Sequence, residues 1–327
     1  MATYLVTGAA GFIGYHTARR LLDRGENVVG VDNVNDYYSP QLKRDRLANL
    51  ATDGKFSFHE TDIADLAALR EAVGNTPIDR VIHLAAQAGV RYSIDHPEAY
   101  VQSNLVGHLN ILEFCRHNDR IDHMVYASSS SVYGGNTKLP FSETDRVDHP
   151  ISLYAATKKA DELMSEAYCH LYDLSAVGLR FFTVYGPWGR PDMAMWLFAK
   201  AILAGEPIKV FNNGAMRRDF TYIDDIVTGV IATADSKPPS SGETGGHRVY
   251  NIGNHRSEDL MHMISVLEQT LGLEAKKTML PMQPGDVAAT YADIEAINRD
   301  YGFEPTTSIE VGIPRFVAWY REYHGIA

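Results

Sequence analysis

The chain has little cysteine. Its 327 residues hold two, Cys115 and Cys169, and both fall in helix-like patterns. That excludes a disulfide scaffold and fits reduced, buried thiols in a cytoplasmic protein. None of the 13 histidines sits in an HxH, HExxH or CxxC-type cluster, so no metal site is expected. No run approaches the ~18 consecutive apolar residues of a membrane span. The opening "MATYLVTGAAGFIG" has no basic segment ahead of a long apolar core, so no secretory leader is expected either. Positive charge is in deficit, with 30 Lys and Arg against 41 Asp and Glu and a net charge of -11. Such a balance opposes general nucleic-acid binding. Small anionic ligands, held by a few local arginines, remain open to it.

Apolar residues are plentiful, at 45% of the chain, enough to core one or two domains. In the first half, short apolar runs alternate with amphipathic ones. Strands are expected at Thr3–Thr7, Asn27–Asp32, Phe56–Glu60, Arg80–Leu84, His123–Ser128 and Ser175–Phe181. Helices are expected near 12–24, 40–52, 65–73, 97–117 and 153–172. That rhythm predicts an α/β fold: a Rossmann-type, doubly wound parallel sheet covered on both faces. Beyond residue 181 the rhythm breaks, with prolines at 187, 191 and 207. A smaller C-terminal substrate-binding lobe is expected over 181–327, with helices near 257–271 and 309–323. The chain should return to the first lobe (1–180) near 221–250, where a Pro/Ser/Gly loop at 236–246 leads into the strand "RVYNIG".

"TYLVTGAAGFIG" sets Gly8, Gly11 and Gly14 between a predicted strand and helix. Glycines there keep the turn tight and let backbone approach a pyrophosphate, which the helix N-terminus attracts. The spacing GxxGxxG alone would also suit an ordinary strand-to-helix turn. The second predicted strand ends in Asp32, placed to accept hydrogen bonds from an adenosine ribose and to repel a 2′-phosphate. NAD is therefore expected over NADP. Further on, Tyr154 and Lys158 share a helical face at i, i+4 spacing. A free phenol titrates near 10, so a tyrosine base at neutral pH calls for nearby cations. The run "YASSSSVYGG" follows an apolar stretch and enters a turn, which argues against a linker.

Together these motifs resemble the extended short-chain dehydrogenase/reductase family. The likeness runs the length of the chain through "TGAAGFIG", "HLAAQAGVRYS", "SSSSVYG", "YAATK", "RFFTVYGPWGRPDMA" and "RRDFTYIDD". Within the family, "DNVNDYYSPQLKRDRL" and "WGRPDMA" resemble the UDP-glucuronate 4-epimerases. The resemblance implies Tyr154, Lys158 and Ser129 as the catalytic group. It implies an NAD site built from Gly8, Gly11, Phe12, Ile13, Gly14, Asp32, Asn33, Lys43, Asp62, Ile63, Leu84, Ala85, Ala86, Gln87, Asn104 and Phe181, with Tyr154 and Lys158. Ser130, Ser131, Thr183, Arg190, Phe211, Arg218 and Asp286 are the implied contacts to a UDP-sugar, and a homodimer is implied as the assembly. Where many relatives carry Arg, this chain has Gln283.

The implied reaction oxidises the sugar at C4 and reduces it again on the other face. Family members that eliminate water or lose carbon dioxide carry acidic residues just after the catalytic Ser/Thr. Here Ser130 and Ser131 stand in those positions. Epimerisation without decarboxylation is therefore expected, with Arg190 pairing the sugar carboxylate. A UDP-glucose 4-epimerase, a UDP-glucuronate decarboxylase and an NAD-binding redox sensor are the alternatives.

Overall fold

Seven apolar runs build the sheet. They are β1 (Thr3–Thr7), β2 (Asn27–Asp32), β3 (Phe56–Glu60), β4 (Arg80–His83), β5 (His123–Ser129), β6 (Ala176–Phe181) and β7 (His247–Ile252). The structure, a computed structural model, describes residues 1–239, 246–283 and 285–326. Most of the 236–246 loop therefore lies outside the described residues. Every strand pair is parallel, and the spatial order is β7-β6-β5-β4-β1-β2-β3.

Successive side chains along these strands feed opposite faces. Leu5, Val29, Val81, Met124 and Ala176 join one buried cluster, with Leu69, Ile111, Leu112 and Cys115. Their neighbours Val6, Val28, Ile82, Val125 and Val177 join the other, with Phe12, Leu21, Ile226 and Val230. Burial on both faces explains why the strands read as continuous apolar runs.

Helices α1 (Phe12–Asp23), α2 (Pro40–Leu50) and α3 (Leu66–Val73) lie close to their predicted limits. The single helix expected over 97–117 is instead three pieces. A four-residue turn at Pro97–Tyr100 and a π-helical stretch at Val101–Val106 precede α4 (Gly107–Arg116). The next helix, α5 (Leu153–Tyr172), is capped by Ser152, whose Oγ accepts from the Ala155 amide. Beyond the sheet, Ala194–Leu203 forms a helix that the sequence reading omitted. The chain then returns through the helix Ile223–Asp235, which packs on α1.

Several histidines are buried in this framework. Burial pushes His16, His123 and His247 down to about 4 and His83 down to about 3. The unfolded chain binds protons at these groups near pH 6.5, whereas the folded chain does not until about 4. Burial also raises Asp161 and Asp219 to about 6, and these two act in the opposite sense. Burial lowers His108 as well and raises Asp32 and Glu143, so the buried histidines still outnumber the raised carboxylates. Stability should be largest above pH 6.5 and fall as pH drops towards 4, by up to roughly 1.4 kcal/mol per pH unit for each net proton. Urea midpoints measured from pH 8 to 4 check this; a midpoint that rises on acidification would contradict it.

Candidate active site

The order 3-2-1-4 places a crossover reversal between β1 and β4, and ligands bind beyond the strand ends at such a point. A cleft of about 1150 Å³ opens there.

Its floor is the glycine turn. Gly8 has φ of +74°, and a Cβ added to it would lie 2.7 Å from the Ala85 nitrogen. A Cβ on Gly14 would lie 2.0 Å from the Gly8 carbonyl oxygen. Close backbone packing therefore requires glycine at both positions. Gly11 caps α1 with no side-chain hydrogen bond, so first-turn amides lack intrahelical partners. Gly11, Phe12, Ile13 and Gly14 line the cleft. Buried Arg46 ties this turn to the 188–189 segment: it donates to Ala10 O at 2.8 Å and to the carbonyls of Trp188 and Gly189 at 2.6 and 2.9 Å.

Asp32 closes one end. Its Oδ2 accepts from the Ala10 amide at 3.1 Å and its Oδ1 from the Val34 amide at 2.8 Å. Each oxygen keeps a lone pair for a ligand hydroxyl. Burial raises its carboxyl, against the pull of Lys43. Asn33 donates to Asp62 at 3.0 Å, and both line the wall with Ile63, Leu84, Ala85, Ala86, Gln87 and Phe181. Lys43 is on the wall too, its Nζ bound to Asn35 O and Oδ1. Asn104 is not on the wall. It sits behind Gln87, accepting from the Gln87 amide at 2.8 Å and donating to Gln87 O at 3.1 Å. The Nε2 of Gln87 is buried with no partner among the described residues. A glycine cradle, free helix amides, an acidic ribose clamp and this unpaired amide fit a dinucleotide.

Tyr154 and Lys158 rise from the first turns of α5 into the same cleft. Lys158 Nζ donates to Ala127 O and to Asp161 Oδ2, both at 3.0 Å. The Tyr100 ring meets Tyr154 edge-on at 5.9 Å. Ser129 ends β5, and its Oγ accepts from the Ser131 amide at 3.1 Å, starting a 3₁₀ turn at Ser130–Tyr133. All three serines line the cleft, and the turn contributes no carboxylate to it. Behind them Ser128 donates to Glu162 at 2.7 Å. Glu162 and Arg180 form a buried two-bond pair, at 2.8 and 2.9 Å. Burial alone would raise Glu162; Arg180 holds it below the usual range.

The chain beyond residue 181 supplies Thr183, Arg190, Phe211, Arg218 and Asp286 to the wall. Arg218 pairs with Asp286 at 2.6 Å rather than with Asp219 or Asp224. Arg190 Nε lies 3.0 Å from Asp192 Oδ1, and Asp192 Oδ2 also accepts from Tyr37 at 3.0 Å. Arg91 stacks over Phe211 at 5.4 Å. Gln283 Oε1 is buried without a partner among the described residues. The sequence reading missed Asp161, Glu162, Asp192 and Tyr37. Asp161 and Glu162 had a local signal, their i, i+3 spacing from Lys158 and Lys159, and Asp192 lies two residues from Arg190; Tyr37 had none.

A floor that fits a dinucleotide, a Tyr–Lys pair beside it and arginines on the facing wall fit an oxidoreductase-type site with cations placed for an anionic ligand. The chain belongs to the NAD dependent epimerase/dehydratase family, which it matches over residues 4–253. It is 49% identical to UDP-glucuronate 4-epimerase 4 of Arabidopsis thaliana, covering 98% of this chain and 76% of the plant protein. It is 48% identical to Protein CapI of Staphylococcus aureus, with 98% of each chain covered. The fold superposes on the UDP-glucuronic acid 4-epimerase of Bacillus cereus, solved with UDP-glucuronic acid and NAD, at a TM-score of 0.88 and 35% identity; 98% of this chain and 99% of that one are covered. Among the described residues, no helix is long and apolar enough to cross a membrane.

Proposed function

We propose that the protein interconverts UDP-glucuronate and UDP-galacturonate at C4, with NAD held as an unconsumed cofactor. The observation that carries this is Arg190 on the wall shared by Tyr154 and a serine turn that brings no carboxylate. The redox chemistry at C4 is what NAD supplies when bound. The Gly8–Gly14 turn and the α1 amides hold its pyrophosphate, Asp32 its adenosine ribose and Lys158 its nicotinamide ribose. Arg218, Asp286 and Phe211 hold the UDP.

Tyr154 takes the proton from the C4 hydroxyl and later returns it, with Ser129 in the hydrogen-bond path. Between the two transfers the sugar is a 4-keto uronate, a β-keto acid prone to lose carbon dioxide. Arg190 holds its carboxylate by charge-assisted hydrogen bonds, and Ser130, Ser131 and Thr183 add neutral ones. No acid on the serine turn is placed to serve C5. Arg190→Ala should weaken UDP-glucuronate binding by about 10- to 100-fold and leave UDP-glucose nearly unaffected. Equal losses for the two sugars, measured by calorimetry, would remove Arg190 from this role.

We further propose that residues 1–180 form the NAD lobe, and 181–327 mainly the UDP-sugar lobe. The protein works as a cytoplasmic homodimer in this reading. Its two cysteines are free thiols. Exposed Val101, Leu109, Leu163 and Leu171 support a helix-pairing interface along the 97–116 and 153–172 segments.

A further inference from the structure

The Arg190 guanidinium is not a loose cation in the cleft. Asp192 grips it along one edge, Nε on Oδ1 and Nη2 on Oδ2. Tyr37, far away in sequence, donates to that same carboxylate at 3.0 Å, and the guanidinium lies 6.0 Å from the centre of the Tyr37 ring. All three residues line the cleft. The opposite, end-on edge of the guanidinium is differently placed. Its Nη1 makes no hydrogen bond among the described residues. A planar fork with one edge fixed has one orientation left in which to receive a second carboxylate.

We propose that Asp192 is the positioning residue for the substrate carboxylate. With Tyr37 behind it, Asp192 fixes the plane of Arg190 so that only the end-on edge meets the C6 carboxylate of the sugar. This rests on the C4-epimerase reading above and deepens it.

The consequence concerns what the 4-keto uronate does while it waits. Its C5–C6 bond breaks readily when that bond lies parallel to the C4 carbonyl π system. The electron pair then passes to C5 and into the C4–C5 enolate, carbon dioxide leaves, and a proton from water restores C5. The product is a UDP-linked 4-keto pentose. A guanidinium locked in one plane fixes where C6 can lie, and so holds the C5–C6 bond, whose direction is set by the ring pucker, out of that alignment. It is also ordered before the substrate arrives, so less side-chain freedom is lost on binding. A guanidinium released from Asp192 would follow the carboxylate as the ring changes pucker, so charge attraction would survive while the hold on C6 was lost.

Asp192→Asn tests this, with Tyr37→Phe as a milder second variant that removes one hydrogen bond from the same carboxylate. Two quantities are read. Calorimetry gives affinities for UDP, UDP-glucose and UDP-glucuronate. Proton NMR gives the division of UDP-glucuronate between UDP-galacturonate and UDP-pentose products. We expect UDP and UDP-glucose affinities within about threefold of the unmodified protein. UDP-glucuronate affinity should fall about 10-fold in Asp192→Asn, the scale of one charge-assisted hydrogen bond. The pentose share should rise at least several-fold, with Tyr37→Phe shifting it the same way by less. An unchanged product division in both variants would overturn the proposal. So would equal losses for all three ligands, which would mark Asp192 as a structural residue. Tighter binding of UDP-glucuronate would make Asp192 a competitor for Arg190 and would also overturn it. If the unmodified protein bound UDP-glucuronate no better than UDP-glucose and left it unconverted, the epimerase reading itself would fall. A failure confined to the variants removes only the role of Asp192.

Discussion

Replacing Tyr154 by phenylalanine should lower kcat by about 10²- to 10⁴-fold, the range for loss of one positioned acid–base group. Affinity for UDP-glucuronate should change little. The substitution removes one hydroxyl and keeps a ring of the same size against Tyr100. It also leaves Lys158 on its own anchors, Ala127 O and Asp161. The cleft therefore keeps its shape and loses only the group that carries the C4 proton. Steady-state rates with calorimetric affinities separate the two effects. A variant retaining more than about a tenth of the turnover would mean that another group moves the proton.

The second large effect is on stability. Glu162→Ala should destabilise the fold by roughly 3–5 kcal/mol, the cost of stranding one partner of a buried ion pair. Arg180 would lose both bonds from its Nε and Nη2 atoms, and Ser128 would lose its acceptor. The remaining bond from Arg180, to the Tyr133 hydroxyl at 3.0 Å, is neutral and cannot offset the charge. Glu162→Gln keeps the shape and some of the hydrogen bonding, so its loss should be smaller. Urea unfolding measures both. A loss under 1 kcal/mol for the alanine variant would show that the pair is not desolvated as the structure has it.

Much of this was legible because it is local. The strands are runs of buried apolar residues, and the glycine turn and the i, i+4 pair of Tyr154 and Lys158 are short patterns whose physics is contained in a few residues. The helix at Ala194–Leu203 was missed for a physical reason. The buried Met195, Trp196, Phe198, Ala199 and Ile202 have helical spacing, but exposed Leu197 and half-buried Ala194, Ala201 and Leu203 are apolar as well, so in sequence the segment reads as an apolar block between prolines. The break before α4 was missed because a π turn shifts the period without a proline to mark it.

Side-chain pairing was the least legible. Glu162 meets Arg180 across 18 positions, Arg218 meets Asp286 across 68 and Tyr37 meets Asp192 across 155. No pattern in the chain joins such residues; the folding of the chain around the parallel sheet does. Asn104 is another case of pairing at a distance: 17 positions from Gln87, it holds the backbone of that residue, which lines the cleft.

The central claim is C4 inversion with the carboxylate kept. Incubating the purified protein with UDP-glucuronate and NAD in D2O, followed by proton NMR, tests it most directly. The account predicts UDP-galacturonate with hydrogen retained at C5 and little pentose. Deuterium at C5, or a UDP-pentose as the main product, would contradict it.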